Sequence, residues 1–234
     1  MLHGMRYSFV FLALAAGLLR DCKAEHVWIV PEPIGSDGQV HVCPHGGSQP
    51  EHVPDLFKVK LWKITEANGC ESVPLMNGKE SLITCEGVSV PGATFALSHD
   101  CGVSFSGGAI SRTVLHAKAY TSADPSTWRL LHRKRLLLEI ASVRDRDAFT
   151  FTVNFNGHPV ANPRISIRGS DGFVREVQGN SAGQVTCSLP QSGLYGLVTT
   201  YIDERPGMPG DQGFVKTRHF STLTLPVEVI PQGR

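Results

Sequence analysis

Four histidines are the residues of this chain whose type and position could bind a metal ion. They are His26 near the start, His45 after a proline in a glycine-rich loop, His116 in an alternating strand pattern and His219 near the end. Imidazole nitrogen binds nickel, cobalt, copper and zinc ions. The alternative for His26 and His45 is an exposed ring, and the alternative for His116 and His219 is a structural ring held by hydrogen bonds.

The chain begins with the pattern of a secretory signal peptide. Arg6 precedes an uncharged apolar run over residues 7–19, and Cys22-Lys23-Ala24 offers small residues for cleavage. Cleavage after Ala24 would make His26 the second residue. Its imidazole, a backbone nitrogen and the free amino group could then chelate Ni(II) or Cu(II). We therefore expect an exported protein, periplasmic or extracellular, with residues 1–24 removed.

The charge balance bears on the class of partner. The chain has 22 Lys and Arg against 21 Asp and Glu, and removal of residues 1–24 leaves 19 against 20. A near-neutral chain has no electrostatic attraction to nucleic acid or anionic lipid. No later apolar run is long enough to cross a bilayer. We expect no nucleic-acid partner and no membrane span in the mature chain.

Five cysteines follow the predicted cleavage site: Cys43, Cys70, Cys85, Cys101 and Cys187. An odd number leaves at least one outside any intramolecular disulfide. An exported protein can form disulfides, and we expect one within the group Cys70, Cys85 and Cys101. The spacing does not match a cysteine zinc site.

After residue 25 the pattern is that of β-strands. Apolar and polar residues alternate between clusters of Gly, Pro, Asn and Ser. One short helical turn is predicted with Asp124 as its N-cap and Pro125 in its first position. Strands are predicted at residues 27–30, 39–43, 57–64, 94–97, 102–105, 113–120, 136–143, 149–155, 164–168, 184–189, 194–201 and 217–230.

A run of alternating charges, Arg144-Asp145-Arg146-Asp147, separates two of these strands. Strand spacing and turn composition on each side are typical of β-sandwiches. The prediction is an all-β protein with two consecutive immunoglobulin-like or prealbumin-like β-sandwich domains, an N-terminal β domain over residues 25–146 and a C-terminal one over residues 147–234.

Three turns of the C-terminal half resemble those of carboxypeptidase-regulatory-like and collagen-binding-B-like modules. The first is Phe155-Asn156-Gly157-His158-Pro159, which is similar to the G-x-P opening of those modules. The others are Asn180-Ser181-Ala182-Gly183 and Ser192-Gly193-Leu194-Tyr195.

The order of motifs along the chain is similar to that of a family of exported bacterial proteins associated with nickel or cobalt uptake. After the signal peptide come His26-Val27-Trp28-Ile29, Leu115-His116-Ala117-Lys118, the G-x-P module and Arg218-His219-Phe220-Ser221. Many members have two residues between histidine and tryptophan, and this chain has one. The resemblance covers residues 25–230 and implies a metal-binding role for the four histidines.

Two functions remain open from the sequence. The first is an exported accessory protein that binds a divalent transition metal for uptake or sensing, with a transporter component as a possible partner. The second is a non-catalytic β-sandwich module, surface or periplasmic, that binds protein or carbohydrate. The sequence lacks G-x-S-x-G, H-E-x-x-H and phosphate-loop motifs, and we expect no enzymatic activity. The metal hypothesis requires two of the four histidines to have ring nitrogens that can meet one ion at about 2 Å.

Overall fold

The computed structural model describes residues 26–31, 40–45, 59–65, 69–77, 83–85, 92–106, 108–128, 135–208 and 213–229. For residues 40–45, 76–77, 83–85 and 106 it describes the backbone alone. The predicted signal peptide lies outside the described residues. Among those that are described, no helix is both long enough and apolar enough to span a membrane.

The described chain is built almost entirely of β-strands, which confirms the all-β prediction. The predicted helical turn is also confirmed, as a 3-10 turn over Pro125–Thr127 in which the Asp124 carboxylate accepts a hydrogen bond from the Ser126 backbone N–H at 2.9 Å. The strands are β1 (His26–Pro31), β2 (Val40–His45), β3 (Val59–Thr65), β4 (Gly69–Val73), β5 (Met76–Asn77), β6 (Ile83–Cys85), β7 (Thr94–Ser106), β8 (Ala109–Tyr120), β9 (Leu138–Asp145), β10 (Ala148–Phe155), β11 (His158–Pro159), β12 (Arg164–Gly169), β13 (Val174–Gln178), β14 (Gln184–Ser188), β15 (Gly193–Asp203) and β16 (Lys216–Val227).

A central sheet contains strands from both halves of the chain. Its order is β13-β12-β15-β16-β8-β7-β3-β4. All described neighbours in it are antiparallel except β16 and β8, which run parallel from the pair Lys216 and Ser111 to the pair Thr224 and Ala119. The sheet is therefore continuous across the predicted boundary at residue 146, and the division into two domains stays a prediction.

The two faces of the central sheet pack against different smaller sheets. Residues that are neighbours in register point to the same face, and successive residues of a strand point to opposite faces. We call one side the apolar face; its core includes Leu97, Leu115 and Phe220, which pack with Val27 and Ile29 of β1. Strand β1 belongs to the small sheet β1-β2-β6-β5.

The opposite side, which we call the mixed face, is apolar at one end and polar at the other. At the apolar end, Leu223 and Leu225 of β16 pack against Ile140 of β9 and Phe151 of β10. Strands β9, β11 and β14 pair with β10 in a second small sheet. The predicted turn between β10 and β11 is confirmed, with positive φ angles at Asn156 and Gly157.

One long strand replaces two predicted ones. The sequence separates residues 94–97 from 102–105, whereas β7 runs through both. The pairing register with β8 shifts between Asp100 and Gly102. The Gly102 backbone N–H donates to the Asp100 carboxylate at 2.9 Å, and Gly102 has a φ of 80°. The segment from Asp100 to Gly102, whose residue types suggest a turn, therefore forms a β-bulge within one strand.

Candidate ligand-binding cleft

The structure places His26 and His45 opposite each other on strands β1 and β2. They are register partners. Two residues further along the strands, Trp28 pairs with Cys43. The His26 ring is only 4% exposed and lies 5.4 Å from the Phe220 ring, between centroids. The alternative interpretation of His26, an exposed ring, is therefore wrong, because β1 packs onto the apolar face. The His45 side chain lies outside the described atoms.

His116 and His219 meet on the mixed face. Nε2 of His116 lies 3.2 Å from Nδ1 of His219, and the two ring planes are 10° apart. The ring centroids are 5.5 Å apart, which is close to the nitrogen separation plus the two ring radii. Both nitrogens thus lie near the line between the centroids and point at each other, as in a direct N–H···N hydrogen bond.

Both rings of this pair are neutral at physiological pH. Burial and, to a smaller extent, the neighbouring His219 together lower the pKa of His116 to about 3. The pKa of His219 is lowered to about 4, mainly by burial; Asp203 and Asp100 raise it, and Arg112 and Arg205 lower it, within that net shift. A charged imidazolium would lose its hydration at this depth.

The pair lies at the inner edge of a cleft of about 600 Å³ on the mixed face. The strand register explains which residues form its floor, because β3, β7, β8, β16 and β15 place side chains in rows across the sheet. The first row is Lys60, Ser98 and His116; the second is Asp100, Val114 and His219; the third is Arg112, Thr217 and Asp203. All of these except His116 line the cleft.

Two aspartate–arginine pairs flank His219. On one side, Nε of Arg112 lies 3.2 Å from both carboxylate oxygens of Asp100, and its Nη2 also donates to that carboxylate. Burial alone would raise the pKa of Asp100, but the hydrogen bonds from Arg112 and Gly102 outweigh it and hold the pKa below its usual value. The carboxylate therefore stays charged and fixed.

The second pair lies at the end of β15. Nε of Arg205 donates to Asp203 at 2.8 Å, and its Nη2 donates to the other carboxylate oxygen at 2.6 Å. The hydrogen bond from Arg205 lowers the pKa of Asp203. Both arginines hold their carboxylates in the bidentate geometry that adds directional specificity to charge.

Aromatic and apolar side chains form the walls. The Phe155 ring lies 4.3 Å from the Tyr201 ring and meets the His219 ring edge-on at 4.9 Å, between centroids. Across the cleft, Phe214 and Gly207 exchange backbone hydrogen bonds of 2.9 and 3.1 Å. A Cβ on Gly207 would collide with the Phe214 ring in its present position.

A buried ion pair lies one step further along β8. Lys118 is 1% exposed, and its Nζ donates to Oε1 of Glu139 on β9 at 2.7 Å. Burial would lower the pKa of Lys118, but attraction to Glu139 and Tyr120 outweighs it and raises the pKa. Strand β8 therefore presents Arg112, Val114, His116 and Lys118 to the mixed face.

The described side chains include no group of three or more His, Cys, Asp and Glu residues placed to hold a metal ion. The nearest approach is the pair of His116 and His219, whose nitrogens are close enough for two ligands of one ion. His26 belongs to the opposite face. Cys70 is a free thiol, so it is not part of the expected disulfide, and the Cys85 side chain is outside the described atoms.

Sequence patterns predicted only part of this cleft. Of the residues in and beside the cleft, the histidine pattern identifies His116 and His219 as candidates. Lys60, Asp100 and Arg112 carried no local motif. Alternation shows which residues share a face within one strand, as Arg112 and His116 do on β8. It does not show that Lys60 of β3 lies on the same face of the sheet.

No known family model matches this chain, and no match to a curated protein was found. The resemblance to exported proteins of nickel or cobalt uptake therefore stays a prediction.

Proposed function

We propose that the protein is an exported, non-catalytic binding module that holds a small polar ligand in the cleft of the mixed face. The observation that carries this proposal is a cleft of about 600 Å³ in which four of the five charged side chains, those of Asp100, Arg112, Asp203 and Arg205, form two ion pairs. Pockets for small ligands typically have volumes of about 300–1,000 Å³ and combine apolar walls with a few polar groups.

The two aspartate–arginine pairs favour binding because they order the site in advance. Fixing a long side chain on ligand binding costs about 0.5–1.5 kcal/mol. Arg112 and Arg205 are held by Asp100 and Asp203 without a ligand, so much of that ordering precedes binding. Their remaining N–H groups can donate to a ligand without breaking either pair.

A nuclear magnetic resonance screen tests this proposal. Backbone amide signals of the mature protein are recorded with a set of small acids, amides and amines. We expect at least one class to shift signals of cleft residues while signals of the apolar face stay unchanged. If no probe shifts the cleft signals at millimolar concentration, the proposal is wrong.

Two serines of β7 supply a matched pair of variants for that screen. Ser98 lines the cleft, whereas Ser104 is exposed elsewhere on the same strand. Ser98→Phe should fill part of the cleft and abolish the shifts, and Ser104→Phe should leave them intact. Equal loss of the ligand-induced shifts in both variants would indicate binding outside the cleft.

A second candidate is the metal-binding accessory protein for nickel or cobalt uptake or sensing, with a transporter component as partner. The observation that favours it is the pair of neutral imidazoles whose nitrogens lie 3.2 Å apart. Two ligands of one ion at about 2 Å are separated by about 3 Å. Both rings would have to turn, because their nitrogens now point at each other.

Calorimetric titration of the mature protein with Ni(II), Co(II), Cu(II) and Zn(II) tests the second candidate. The N-terminus is first confirmed by mass spectrometry, since cleavage after Ala24 would expose a chelating group next to His26. Binding tighter than micromolar that is lost in His219→Phe supports the candidate. The absence of such binding rejects it.

The finer division of the fold is also a proposal. We propose two sandwich domains of immunoglobulin-like or prealbumin-like type, over residues 25–146 and 147–234. The turns around Asn156, Gly183 and Gly193 support the second domain, since each has the residue types that such modules use. Limited proteolysis tests the boundary: cleavage near residue 146 that releases a folded C-terminal piece supports it, and resistance there contradicts it.

A further inference from the structure

The proton in the His116–His219 hydrogen bond determines which group faces the cleft. Each neutral imidazole has one N–H and one bare nitrogen. If His116 donates through its Nε2, then Nδ1 of His219 is bare and the proton of His219 lies on the Nε2 of His219. If His219 donates through Nδ1, its Nε2 is bare. Because Nδ1 of His219 is turned toward His116, Nε2 is the nitrogen left for the cleft.

The surroundings of His116 distinguish these two arrangements. Its other nitrogen, Nδ1, is buried and has no hydrogen-bond partner among the described residues. In the second arrangement that atom would be an orphaned N–H group. Buried N–H groups without an acceptor are rarer in proteins than buried acceptors that lack a full set of donors. The first arrangement is favoured, so His219 offers an N–H donor to the cleft.

The charges that line the cleft agree with an anionic ligand. Arg112 and Arg205 are balanced by Asp100 and Asp203, whereas Lys60 has no ion-pair partner among the described residues. The lining therefore carries one surplus positive charge. A carboxylate has a single negative charge, whereas a phosphate monoester carries about two at neutral pH.

The walls indicate the rest of the ligand. Leu137, Phe155 and Phe214 line the walls, and Val114 lies in the floor between Asp100 and His219. Their apolar surface can cover a hydrocarbon or aromatic group, while the charged end stays at the floor. A small inorganic anion would leave that surface exposed to water.

We propose that the cleft binds a monoanionic carboxylate with an apolar body, whose carboxylate accepts a hydrogen bond from Nε2–H of His219 in a lining whose surplus positive charge is that of Lys60. This inference rests on the proposed binding function and names the class of its ligand. His116 is a positioning residue, since it holds the proton of His219 on Nε2. The same proton excludes Nε2 as a metal ligand until it is removed.

Four probes test the ligand class: phenylacetate, phenylacetamide, phenethylamine and inorganic phosphate. Binding is followed by amide shifts and by calorimetry on the mature protein. We expect phenylacetate to bind at least about ten-fold more tightly than its amide, because hydrogen bonds to a charged acceptor are the stronger ones. The amine and phosphate should bind more weakly than phenylacetate.

Matched variants identify the groups involved. His219→Phe should weaken phenylacetate binding at least about ten-fold, whereas His26→Phe, the same change on the opposite face, should not. Lys60→Met should weaken it about three-fold, and Lys216→Met, outside the cleft, should leave it unchanged.

The outcomes separate this inference from the proposed function. Tighter binding of the amide, the amine or phosphate in the cleft overturns the ligand class but leaves the cleft as a binding site. Phenylacetate binding that His219→Phe does not change also overturns the inference. If none of the four probes binds in the cleft and the wider screen is also negative, the proposed function itself fails.

Discussion

The two faces of the central sheet are both buried but differ in polarity. On the apolar face, β8 contributes Leu115, Ala117 and Ala119, whereas on the mixed face the intervening positions are His116 and Lys118. Burial of a charged or polar side chain lowers stability unless it is paired. The buried ammonium of β8, that of Lys118, lies on the mixed face next to the cleft, which indicates where this strand departs from simple packing. The difference locates the candidate site more sharply than any sequence motif did.

The largest expected effect comes from breaking the buried ion pair of the mixed face. Glu139→Ala leaves the Lys118 ammonium buried beside Tyr120 without its carboxylate. We expect the free energy of unfolding to fall by about 3–5 kcal/mol, measured by urea denaturation. The double variant Lys118→Met, Glu139→Leu should recover most of that loss, since it removes both charges. A loss below about 1 kcal/mol in the single variant would show that the pair is not a buried one.

A comparable loss of stability, caused by a substitution on the apolar face, should leave ligand binding in the cleft intact. Leu97 is fully buried against β1 and its neighbours. Leu97→Ala should lower the free energy of unfolding by about 2–5 kcal/mol through the cavity it leaves. Phenylacetate affinity should be the same as in the unmodified protein at a temperature where both are folded. A parallel fall in affinity would show that the two faces are coupled.

Acid should destabilise the mixed face selectively. The pKa values of His116 and His219, about 3 and about 4, lie below the unfolded-state value of 6.5. Below about pH 6.5 the unfolded chain therefore binds more protons, and stability present at neutral pH is lost as the pH falls. Each histidine should contribute about 1.4 kcal/mol per pH unit between about pH 6 and about pH 4.5.

Urea denaturation across that window measures the effect. A double variant, His116→Phe with His219→Phe, should have a shallower dependence on pH than the unmodified protein. The stabilisation from Asp100 and Asp203 is lost mainly below this window, since ion pairs lower both of their pKa values. Equal slopes in the two proteins would contradict neutral, buried rings.

The smallest expected effect concerns His26. Its ring packs against Phe220, and an aromatic replacement preserves most of that contact. His26→Phe should change the free energy of unfolding by less than about 1.5 kcal/mol and leave phenylacetate affinity unchanged. Loss of tight nickel binding in this variant, with carboxylate binding intact, would instead favour the metal candidate at the N-terminus.

Strands and turns could be predicted wherever the signal is local. Alternation along 113–120 and 149–155, the Asn156-Gly157 turn and the Asp124 cap depend on neighbouring residues, and the structure has each of them. The Asp100-Cys101-Gly102 segment misled the prediction, because its residue types suit a turn as well as a bulge. The alternative of an exposed His26 ring is wrong for a similar reason, since nothing near it in the sequence indicates that β1 is covered.

The candidate cleft depends on pairings that local patterns do not contain. His116 and His219 are 103 residues apart and meet only because β16 runs parallel to β8. Asp100 and Lys60 share their face of the sheet only because β7 pairs with β8 and β3 pairs with β7 in the observed registers. A one-residue shift in any of these pairings would turn the side chains to the other face. The sequence therefore supplied two candidate residues without the site that unites them.

The position of the proton on His219 tests the account most directly. The protein is labelled with ¹⁵N in its histidine rings, and the two ring nitrogens of His219 are assigned at neutral pH. We predict a bare Nδ1 and a protonated Nε2, with Nε2 shifting when phenylacetate is added. The His116→Leu variant should allow both tautomers. A bare Nε2 with the proton on Nδ1 in the unmodified protein would contradict the account.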